Sequence, residues 1–507
     1  MNRDSKTTSL WQGAHPISHL TGASLNKGDA DIIIVGAGIT GLTLAFWLQE
    51  QGRNCLVIEA GNPGFGTTAG TTAHLNTVLD TPYTDIIDKF GKSGAKLVAE
   101  GASLAIHRIA ANIEKLGIDC SFKYLDGYLI AQDQQQAEEL EKMLGAMQKV
   151  GVEADFSDTI PVPLQYKCSV CLKNQAQFNP LQYLEGIARA FANAGGTILQ
   201  NTRVKSIERE GDNLNVLTEN GNFTCRKAVY ATHIPPGLNL LHTRCAPYRS
   251  YVMAAELEDG EAYPDALAYD MEDPYHYFRT AVIDDKKFLI VGGKDHKTGH
   301  HENASQAFTA LEAYTRNLYK IKSVPYKWSA QYYEPGDGLP YIGHLPGADE
   351  HIYTATGFSG NGMILGTLSA HILCNLIVDV EDAYASLFSP SRIKPVAGFK
   401  NFVKENADVA KRFIVDRISS EQLESLSDLS KEEGKVVKYQ DQKLAIYKDG
   451  TGKLCALHPV CPHAGCIVQW NNAEKSWDCP CHGARYDTTG KLLTGPATSD
   501  LKQIDIS

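Results

Sequence analysis

A regular pattern of apolar and polar positions begins at Asp31. The apolar stretch "DIIIV" is followed by a glycine turn, the stretch "LTLAFWLQEQG" and a second apolar stretch, "NCLVIEA". This order predicts a strand, a helix and a strand, which together form a βαβ unit. Residues 84–118 and 134–150 carry apolar positions three and four apart and predict two further helices. The stretch "NPLQYLEGIARAFANAGG" predicts another helix that ends at glycines.

Strand patterns dominate the rest of the chain. The runs "VKSIERE", "LNVLTEN" and "KAVYATH" predict short strands, and the alternation between Pro247 and Trp328 predicts a mixed or antiparallel sheet. Residues 401–418 predict a charged amphipathic helix, and we interpret residues 396–429 as a helical linker. Residues 430–507 hold short strands and turns, which predict a small all-β domain. Residues 1–30 are polar and predict a strap on the first domain.

Composition narrows the class of protein. A chain of 507 residues predicts two or three domains, and its formal net charge of −11 leaves no basic excess for a nucleic-acid partner. The uncharged run from Ile32 to Leu48 is interrupted by three glycines, so we interpret it as a buried strand and helix and expect no membrane span. The N-terminus lacks the apolar core of a signal peptide, and the twelve cysteines do not resemble a secreted disulfide framework. We therefore expect a cytoplasmic protein.

The first chemical motif is G-x-G-x-x-G, formed by Gly36, Gly38 and Gly41 between the first strand and its helix. Glu59 ends the next strand, 18 residues past Gly41. Glycines let the backbone approach a pyrophosphate, the helix N-terminus offers free N–H groups, and the acid accepts from ribose hydroxyls. The motif in this context predicts dinucleotide binding. The alternative is a glycine turn that only packs a helix on a sheet.

The chain resembles the D-amino-acid-oxidase-like group of FAD-dependent oxidoreductases, which includes glycine and sarcosine oxidases. The resemblance covers about residues 30–375 and rests on "DIIIVGAGITGL", "VIEAGNPGFGTTAGTTAHL", "VYATH", "DGLPYIG" and "YTATGFSGNGMILG". It implies an α/β fold, with a Rossmann-like FAD-binding domain and a mixed-sheet substrate domain. The implied module spans 31–395, with FAD-binding parts at about 31–100, 170–245 and 330–375 and substrate parts at about 101–169 and 246–329.

The same resemblance implies a set of FAD-binding residues. The last glycine run would start a helix aimed at the flavin ring, where its N-terminal partial charge stabilises reduced flavin. The implied residues are Gly36, Gly38, Ile39, Thr40, Gly41, Glu59, Ala60, Thr67, Thr68, Val204, Gly357, Gly360 and Met363. A second G-x-G-x-x-G is absent from the sequence, which favours direct oxidation of a small substrate on the flavin over reduction by NAD(P)H.

The substrate side is predicted from one strand and one histidine. Tyr275, Tyr277 and Arg279 alternate along a predicted strand and can share a face toward the flavin, while His276 points away. In the family, a strand-borne arginine or tyrosine often holds the substrate carboxylate, because a guanidinium fork fits it. The alternative is that Arg279 pairs with a nearby acid. His74 corresponds loosely to a histidine that holds flavin covalently in some relatives, and a non-covalent or structural histidine is the alternative.

Two cysteine–histidine boxes stand near the C-terminus. Cys461-x-His463 and Cys479-x-x-His482 are separated by 15 residues. Such boxes can project two thiolates toward one iron and two imidazoles toward a second, and they resemble the Rieske [2Fe–2S] pattern over about residues 430–507. The resemblance implies a disulfide between the remaining cysteines of the boxes, Cys466 and Cys481. Zinc is the alternative metal.

One position departs from the high-potential Rieske proteins of respiratory and photosynthetic complexes. They carry a serine after "CHG" that donates to a bridging sulfide, and this chain has Ala484, whereas the tyrosine donor to a ligand cysteine is kept as Tyr486. Loss of one donor predicts a potential below those relatives.

Together the two halves predict a dehydrogenase. A small amine or amino acid would be oxidised by FAD, and the electrons would pass through the cluster to an external acceptor, leaving at the cluster histidines on the domain surface. One rival hypothesis is an oxygen-using flavin oxidase in which the Rieske domain serves for docking. Another is a non-enzymatic redox carrier or sensor.

Overall fold

The structure is a computed structural model, and it describes residues 6–15, 17, 30–300, 303–392, 421–423 and 425–506. The α-helices, numbered in chain order, are α1 Leu10–Ala14, α2 Ile39–Glu50, α3 Thr67–Gly70, α4 Tyr83–Leu116, α5 Gln134–Val150, α6 Pro180–Asn193, α7 Ser305–Leu318, α8 Gly362–Ile377 and α9 Ala385–Phe388. Short 3₁₀ helices span Leu240–Thr243 and Leu426–Asp428.

The strands fall into an N-terminal and a C-terminal group. The N-terminal strands are β1 Ala30–Val35, β2 Cys55–Ile58, β3 His74–Leu75, β4 Lys123–Ala131, β5 Ala154–Ser157, β6 Cys168–Gln177, β7 Thr197–Leu199, β8 Val204–Glu210, β9 Asn213–Thr218, β10 Asn222–Tyr230, β11 Cys245–Leu257, β12 Leu267–Asp270, β13 Tyr277–Ile283, β14 Lys286–Lys297, β15 Ile321–Pro335, β16 Tyr341–His344 and β17 Ile352–Thr356. The C-terminal strands are β18 Glu421–Gln422, β19 Glu433–Tyr439, β20 Gln442–Lys448, β21 Leu454–Leu457, β22 Gln469–Asn471, β23 Ser476–Asp478, β24 Arg485–Tyr486, β25 Leu492–Thr494 and β26 Gln503–Ile504.

The first sheet is the predicted βαβ unit extended on both sides. Its order is β16-β17-β10-β1-β2-β7, and β1 pairs in parallel with both β2 and β10. Strands β1 and β2 are almost wholly buried because helices cover the sheet, which explains their continuous apolar sequences. Helix α2 is apolar on nearly all sides and packs against α6 and α8, so it is buried. The glycine turn therefore lies in the rigid centre of the molecule.

The second sheet has the order β15-β11-β14-β13-β12-β4-β6-β3, with β5 on β6. Its strands are antiparallel to their neighbours except that β12 runs parallel to β4, so the predicted mixed sheet is confirmed. Strands β11 and β15 are long and pair along most of their length. Strand β15 therefore extends from the substrate side of the sheet to the C-terminal domain. This sheet forms the far wall of the site described below.

The C-terminal domain contains two small sheets, β18-β19-β20-β21-β26 and β22-β23-β24-β25. The helix predicted at 401–418 lies outside the described residues. The last described residues of the predicted linker, from Glu421 on, belong to the C-terminal domain and do not form an α-helix. Strand β18 pairs in parallel with β19, and a short 3₁₀ helix follows it. The core of this domain includes the four box cysteines together with the buried Trp477 and Tyr486.

The described part of the N-terminal segment lies against both halves of the molecule. Trp11 of α1 is buried, and its indole N–H donates to the carbonyl oxygen of Thr71 at 2.7 Å. The hydroxyl of Thr7 donates to Oε2 of Glu474 in the C-terminal domain at 2.7 Å. Within the described ranges, no helix combines the length and the apolar character needed to cross a membrane.

Candidate functional site

The glycine turn joins β1 to α2. Gly36 has a φ of +109°, in the left-handed region that favours glycine. A Cβ atom at Gly41, one turn into α2, would overlap the carbonyl oxygen of Gly36, so glycine is needed for the helix to approach the turn this closely. Helix α2 thus directs its N-terminus at the turn, an arrangement suited to a pyrophosphate.

Glu59 is fixed beside this turn at the end of β2. Its Oε2 accepts from the N–H of Ala37 at 2.7 Å, and its Oε1 accepts from the N–H of Gly61 at 2.8 Å. The N–H of Ile39 donates to the hydroxyl oxygen of Thr68 at 3.1 Å, which ties α3 to the first turn of α2. The carboxylate and the helix N-terminus are therefore held on one wall, as ribose and pyrophosphate recognition require.

These residues line one end of a cavity of about 1100 Å³. The predicted cofactor-binding residues that line it are Gly36, Gly38, Ile39, Thr40, Glu59, Ala60, Thr67, Thr68, Val204, Gly360 and Met363. The predicted substrate-side residues that line it are His74, Tyr275 and Tyr277. One cavity thus joins the two sets, as a cofactor and a small substrate that react together require.

Gly41 and Gly357 do not line the cavity. Gly41 serves the close packing of the glycine turn instead. Gly357 follows β17 with a φ of +78°, and a Cβ atom there would lie 3.2 Å from the Cβ of Pro335. Both glycines therefore shape the wall from behind.

Arg279 also lies behind the wall and is only 2% exposed. Its Nη1 donates to the carbonyl oxygens of Thr72, Ala73 and Phe178 at 2.6, 2.9 and 3.3 Å. These partners are neither a substrate carboxylate nor the surface acid that the alternative required. The guanidinium group fastens the loop before β3 to the second sheet and does not reach the cavity.

The two tyrosines face a pair of carboxylates. The hydroxyl of Tyr275 donates to Oδ1 of Asp80 at 3.1 Å. The hydroxyl of Tyr277 lies 2.8 Å from that of Ser250, which donates to Oδ1 of Asp295 at 2.6 Å. All five residues line the cavity, which places an acidic, hydroxyl-rich surface at its substrate end.

Strand β13 begins only at Tyr277, so Tyr275 and His276 lie in the segment before it and not on the predicted strand. His276 nevertheless points away from the cavity, as expected. It is buried outside the cavity, where its Nδ1–H donates to Oδ2 of Asp270 at 2.7 Å. Its ring stacks on that of Tyr314, with 3.8 Å between the ring centroids. This histidine therefore supports the sheet.

His74 is a neutral imidazole whose tautomer follows from its partners. Its Nε2 lies 3.3 Å from the carbonyl oxygen of Phe278, which can only accept, so Nε2 carries the proton. Its Nδ1 then accepts from the hydroxyl of Thr72 at 2.9 Å. Burial and, secondarily, the charge of Arg279 lower the pKa of His74 to about 3. Both ring nitrogens are thus engaged within the protein.

The cysteine–histidine boxes meet at one point of the C-terminal domain. The imidazole rings of His463 and His482 lie 4.8 Å apart between centroids, and their buried Nδ1 atoms have no hydrogen-bond partner among the described residues. A hydrogen bond with the Cys479 thiol lowers the pKa of Cys461 to about 7. Two unpaired buried nitrogens beside two thiols fit the donor set of a Rieske cluster.

Cys466 and Cys481 form the disulfide that the resemblance implied. Their sulfurs and that of Cys479 lie within 4.8 Å of one another. Since two of the three are joined, only Cys479 of this group offers a thiolate. With Cys466 and Cys481 joined, the side chains left to fit the predicted metal-binding set are Cys461, His463, Cys479 and His482.

The histidine face of this centre is covered by the N-terminal module. Nε2 of His463 lies 3.0 Å from Nδ1 of His242 and 3.2 Å from the carbonyl oxygen of Gly237. Nε2 of His242 lies 2.9 Å from the carbonyl oxygen of Pro235 and 3.0 Å from the side-chain amide nitrogen of Asn239. The Gly237 carbonyl oxygen can only accept, so Nε2 of His463 carries a proton. Nδ1 of His242 then accepts from Nε2–H of His463.

Further contacts join the two parts around the same point. The side-chain amide of Gln331 donates to the carbonyl oxygen of Gly483 at 2.9 Å. The hydroxyl of Tyr333 donates to the carbonyl oxygen of His482 at 3.2 Å. Residues 493–495, 497 and 498 of the C-terminal domain line the dinucleotide cavity itself. The hypothesis that electrons leave at the cluster histidines does not agree with this arrangement, because these histidines face the N-terminal module.

Sequence reasoning missed several residues of this site, among them Asp80, Tyr332 and His242. Asp80 and Tyr332 line the substrate end, and His242 contacts the metal centre. Each lies in a stretch without a motif, and each is brought to the site by contacts with residues distant in the chain. A single sequence contains no local signal for them.

Comparisons with known proteins agree with this geometry. A family model described as FAD dependent oxidoreductase matches residues 31–376, and one described as Rieske [2Fe-2S] domain matches residues 421–505. YhfW of Bacillus subtilis (strain 168), whose name describes a Rieske 2Fe-2S iron-sulfur protein, is 34% identical over 481 residues, which cover 94% of each chain. The Rieske match favours iron over the zinc alternative.

Two further proteins are similar to about three quarters of the chain. Gamma-glutamylputrescine oxidoreductase of Escherichia coli (strain K12) is 23% identical over 399 residues, covering 75% of this chain and 92% of its own length. The crystal structure of glycine oxidase from Geobacillus kaustophilus superposes with a TM-score of 0.61 at 18% identity, covering 72% of this chain and 99% of that one. The chain therefore belongs to the FAD dependent oxidoreductase family, carries a C-terminal Rieske domain, and binds FAD and a Rieske [2Fe–2S] cluster.

Proposed function

We propose that this protein is a dehydrogenase that oxidises a small amine or amino acid and delivers the electrons through its own Rieske domain to an external one-electron acceptor. The substrate would lose a hydride from carbon and a proton from nitrogen to become an imine, and two acceptor molecules would each take one electron. When bound, FAD supplies two-electron oxidation and the cluster supplies one-electron transfer. The hydrogen bond between His463 and His242 is the observation that carries this proposal.

The contact is specific because both histidines have defined tautomers. The Gly237 carbonyl oxygen fixes a proton on Nε2 of His463, so Nδ1 of His242 accepts from it and orients His463. Nδ1 of His463 is thereby left for iron. Burial, with the neighbouring His463 as a second cause, lowers the pKa of His242 to about 3, so this residue is neutral.

The substrate end of the cavity supports oxidation of a small molecule. Tyr275 and Tyr277 are held by hydrogen bonds to Asp80 and Ser250, so their rings form a fixed wall. His74 packs edge-on to the ring of Tyr277, with 5.6 Å between centroids. Because both nitrogens of His74 have partners within the protein, it supports a flavin that is bound without a covalent link.

The cysteines support a reducing cellular compartment. Ten cysteines, including the two ligand thiols, are free, and Cys466 and Cys481 are the disulfide-bonded pair. A cytoplasmic location agrees with this distribution, since the disulfide is buried beside the cluster.

Anaerobic stopped-flow spectroscopy tests the proposed function. Mixing the full-length protein with an oxidisable amine or amino acid should bleach the flavin band and then, within one turnover, the cluster bands. Freeze-quenched samples should show the paramagnetic signal of a reduced Rieske cluster. Flavin bleaching that leaves the cluster oxidised throughout would contradict the relay.

Ala484 stands where the high-potential Rieske proteins carry a serine that donates to a bridging sulfide. Ala484 is buried beside the cluster site, and Tyr486 donates to Sγ of Cys461 at 3.2 Å. The substitution Ala484→Ser should raise the midpoint potential by roughly 60 mV, which corresponds to a charge-assisted bond of about 1.5 kcal/mol in a one-electron couple.

Protein-film voltammetry measures this shift. Ala473→Ser, in the same domain but away from the cluster loops, is the matched control and should leave the potential unchanged. The unmodified protein should lie below the upper end of the Rieske range of roughly −150 to +300 mV. A value near that upper end, or no response to Ala484→Ser, would refute the prediction.

A further inference from the structure

Asp80 presents a carboxylate to the substrate end of the cavity. Its Oδ2 accepts from the N–H of Gly360 at 2.6 Å, and its Oδ1 accepts from the hydroxyl of Tyr275 at 3.1 Å. The side chain is accessible at the cavity wall, yet the surrounding protein removes it from bulk water, so burial raises its pKa. Both partners are neutral donors, and each carboxylate oxygen keeps capacity for another bond.

Asp295 presents a second carboxylate to the same space. Its Oδ1 accepts from the hydroxyl of Ser250 at 2.6 Å, and its Oδ2 accepts from the hydroxyl of Tyr332 at 2.9 Å. Burial, with the charge of Asp80 as a further cause, raises the pKa of Asp295 to about 7. Neither carboxylate has a cationic partner in the contacts described for it.

Positive charge is scarce on this cavity wall. Among the described residues that line the cavity, Arg203 is the one arginine, and lysine is absent. Arg203 adjoins Val204 at the dinucleotide end and donates to the carbonyl oxygen of Leu492 at 3.1 Å. His74 is neutral, and Arg279 is turned to backbone carbonyls behind the wall. A substrate carboxylate would therefore meet two acidic groups and no counter-charge at this end, whereas a cation would stabilise the ionised form of both acids.

The approach to the site has the same sign. Four exposed acidic residues from the start of α5 and from the loop after β12 line the cavity: Asp133, Glu139, Glu272 and Asp273. The side-chain amide of Gln132 donates to Oε1 of Glu272 at 3.1 Å, which brings the two segments together. An opening lined by one sign of charge concentrates ligands of the opposite sign.

We propose that the substrate is a cationic amine without a carboxylate, a primary or secondary alkylamine or diamine, and that Asp80 and Asp295 bind its ammonium group. This inference rests on the proposed function and narrows it by excluding amino acids. An ammonium group only donates hydrogen bonds and can donate to both carboxylates. Its positive charge would supply the counter-charge that the cavity wall lacks.

Matched ligand pairs test the inference on the full-length protein loaded with FAD and cluster. Butylamine and norvaline differ only by the carboxylate on the reacting carbon, and 1,4-diaminobutane and ornithine form a second pair. For each ligand, the measured quantity is the rate constant of anaerobic flavin bleaching divided by the dissociation constant. We expect this ratio to be at least 100-fold higher for the amines than for either enantiomer of the matched amino acid. Amino acids that match or exceed the amines would overturn the inference while leaving the proposed function intact.

A binding measurement separates this inference from turnover. Butylammonium and butyrate are similar in size and opposite in charge, and their binding is measured by the shift of the flavin absorbance. Butylammonium should bind at least tenfold more tightly, and the substitutions Asp295→Asn and Asp80→Asn should each reduce that preference at least tenfold. Asp265→Asn, an exposed residue paired with Lys123, is the control and should not change it.

The outcomes are distinct. Preferential binding of butylammonium without bleaching by any amine or amino acid would support the charge preference and refute the proposed oxidation. Tighter binding of butyrate, or unchanged preference in both variants that retain their flavin absorbance, would overturn the assignment of Asp80 and Asp295.

Discussion

Replacing His242 with phenylalanine is expected to slow reduction of the Rieske cluster ten- to hundredfold and to raise its midpoint potential by about 40 mV. The substitution removes the nearer of two acceptors for Nε2–H of His463 and leaves the Gly237 carbonyl oxygen at 3.2 Å. Changes to such partners of metal ligands have effects of about 10- to 100-fold. A hydrogen bond of about 1 kcal/mol that is stronger in the oxidised cluster corresponds to about 40 mV in a one-electron couple.

The higher midpoint potential should speed reduction of the cluster, and the lost contact should slow it. The sizes of the two effects show which one determines the rate. A rise of about 40 mV would favour cluster reduction by about fivefold, since tenfold corresponds to about 59 mV. A slower reaction therefore cannot come from the potential and must reflect the lost contact between the two parts of the chain. The measurements are stopped-flow reduction of the cluster by substrate and protein-film voltammetry.

Two further variants control this experiment. His242→Gln keeps an oxygen that can accept from His463, so it should recover part of the rate and most of the potential. His344→Phe replaces an exposed histidine whose ring packs on Tyr353, with 4.5 Å between centroids, and should change neither quantity. An unaltered cluster reduction rate in His242→Phe would rule out this contact as the route.

The parts of the fold and site that could be predicted share one property, which is that they are encoded locally. Gly36, Gly38 and Gly41 must be close in sequence because they form one turn, and each cysteine–histidine box must lie on one loop. The apolar runs of β1 and β2 predicted a buried parallel sheet for the same reason, since helices that follow in sequence cover it.

The rest depends on neighbours that are distant in the chain. Alternation in the sequence predicted that Tyr275, Tyr277 and Arg279 share a face, and the two tyrosines do line the cavity. It could not show that the loop carrying Thr72 and Ala73 would surround Arg279 with carbonyl oxygens. Asp80 and His242 have no motif, and each acquires its position from an element far along the sequence.

Docking of the Rieske domain uses backbone groups as well as side chains. The side chains of Gln331, Tyr333 and Arg203 donate to carbonyl oxygens of the C-terminal domain. The backbone N–H of Gly237 donates to the carbonyl oxygen of Pro496 at 3.0 Å. These contacts hold the C-terminal domain against the N-terminal module beside the cysteine–histidine boxes. In this arrangement the domain need not swing for the centre to contact the flavin module.

Loss of the cluster should separate substrate oxidation from electron delivery. Cys461→Ser removes one buried thiolate ligand, so the cluster should be lost while the FAD cavity stays intact. Substrate should bleach the flavin within about twofold of the normal rate. Reduction of a c-type cytochrome should fall at least 100-fold, because a protein acceptor cannot enter a cavity of about 1100 Å³ to reach the flavin.

Cys455→Ser is the matched control, since Cys455 is a half-buried cysteine of β21 in the same domain and is not a ligand. It should keep both activities. The oxidase hypothesis predicts a different result: in Cys461→Ser, peroxide would form in step with substrate oxidation at the rate of the unmodified protein. Because flavin bleaching is measured separately, a variant that has lost FAD is distinguished from one that has lost only its cluster. Electron delivery that survives in the cluster-free variant would show that the Rieske domain is not the exit.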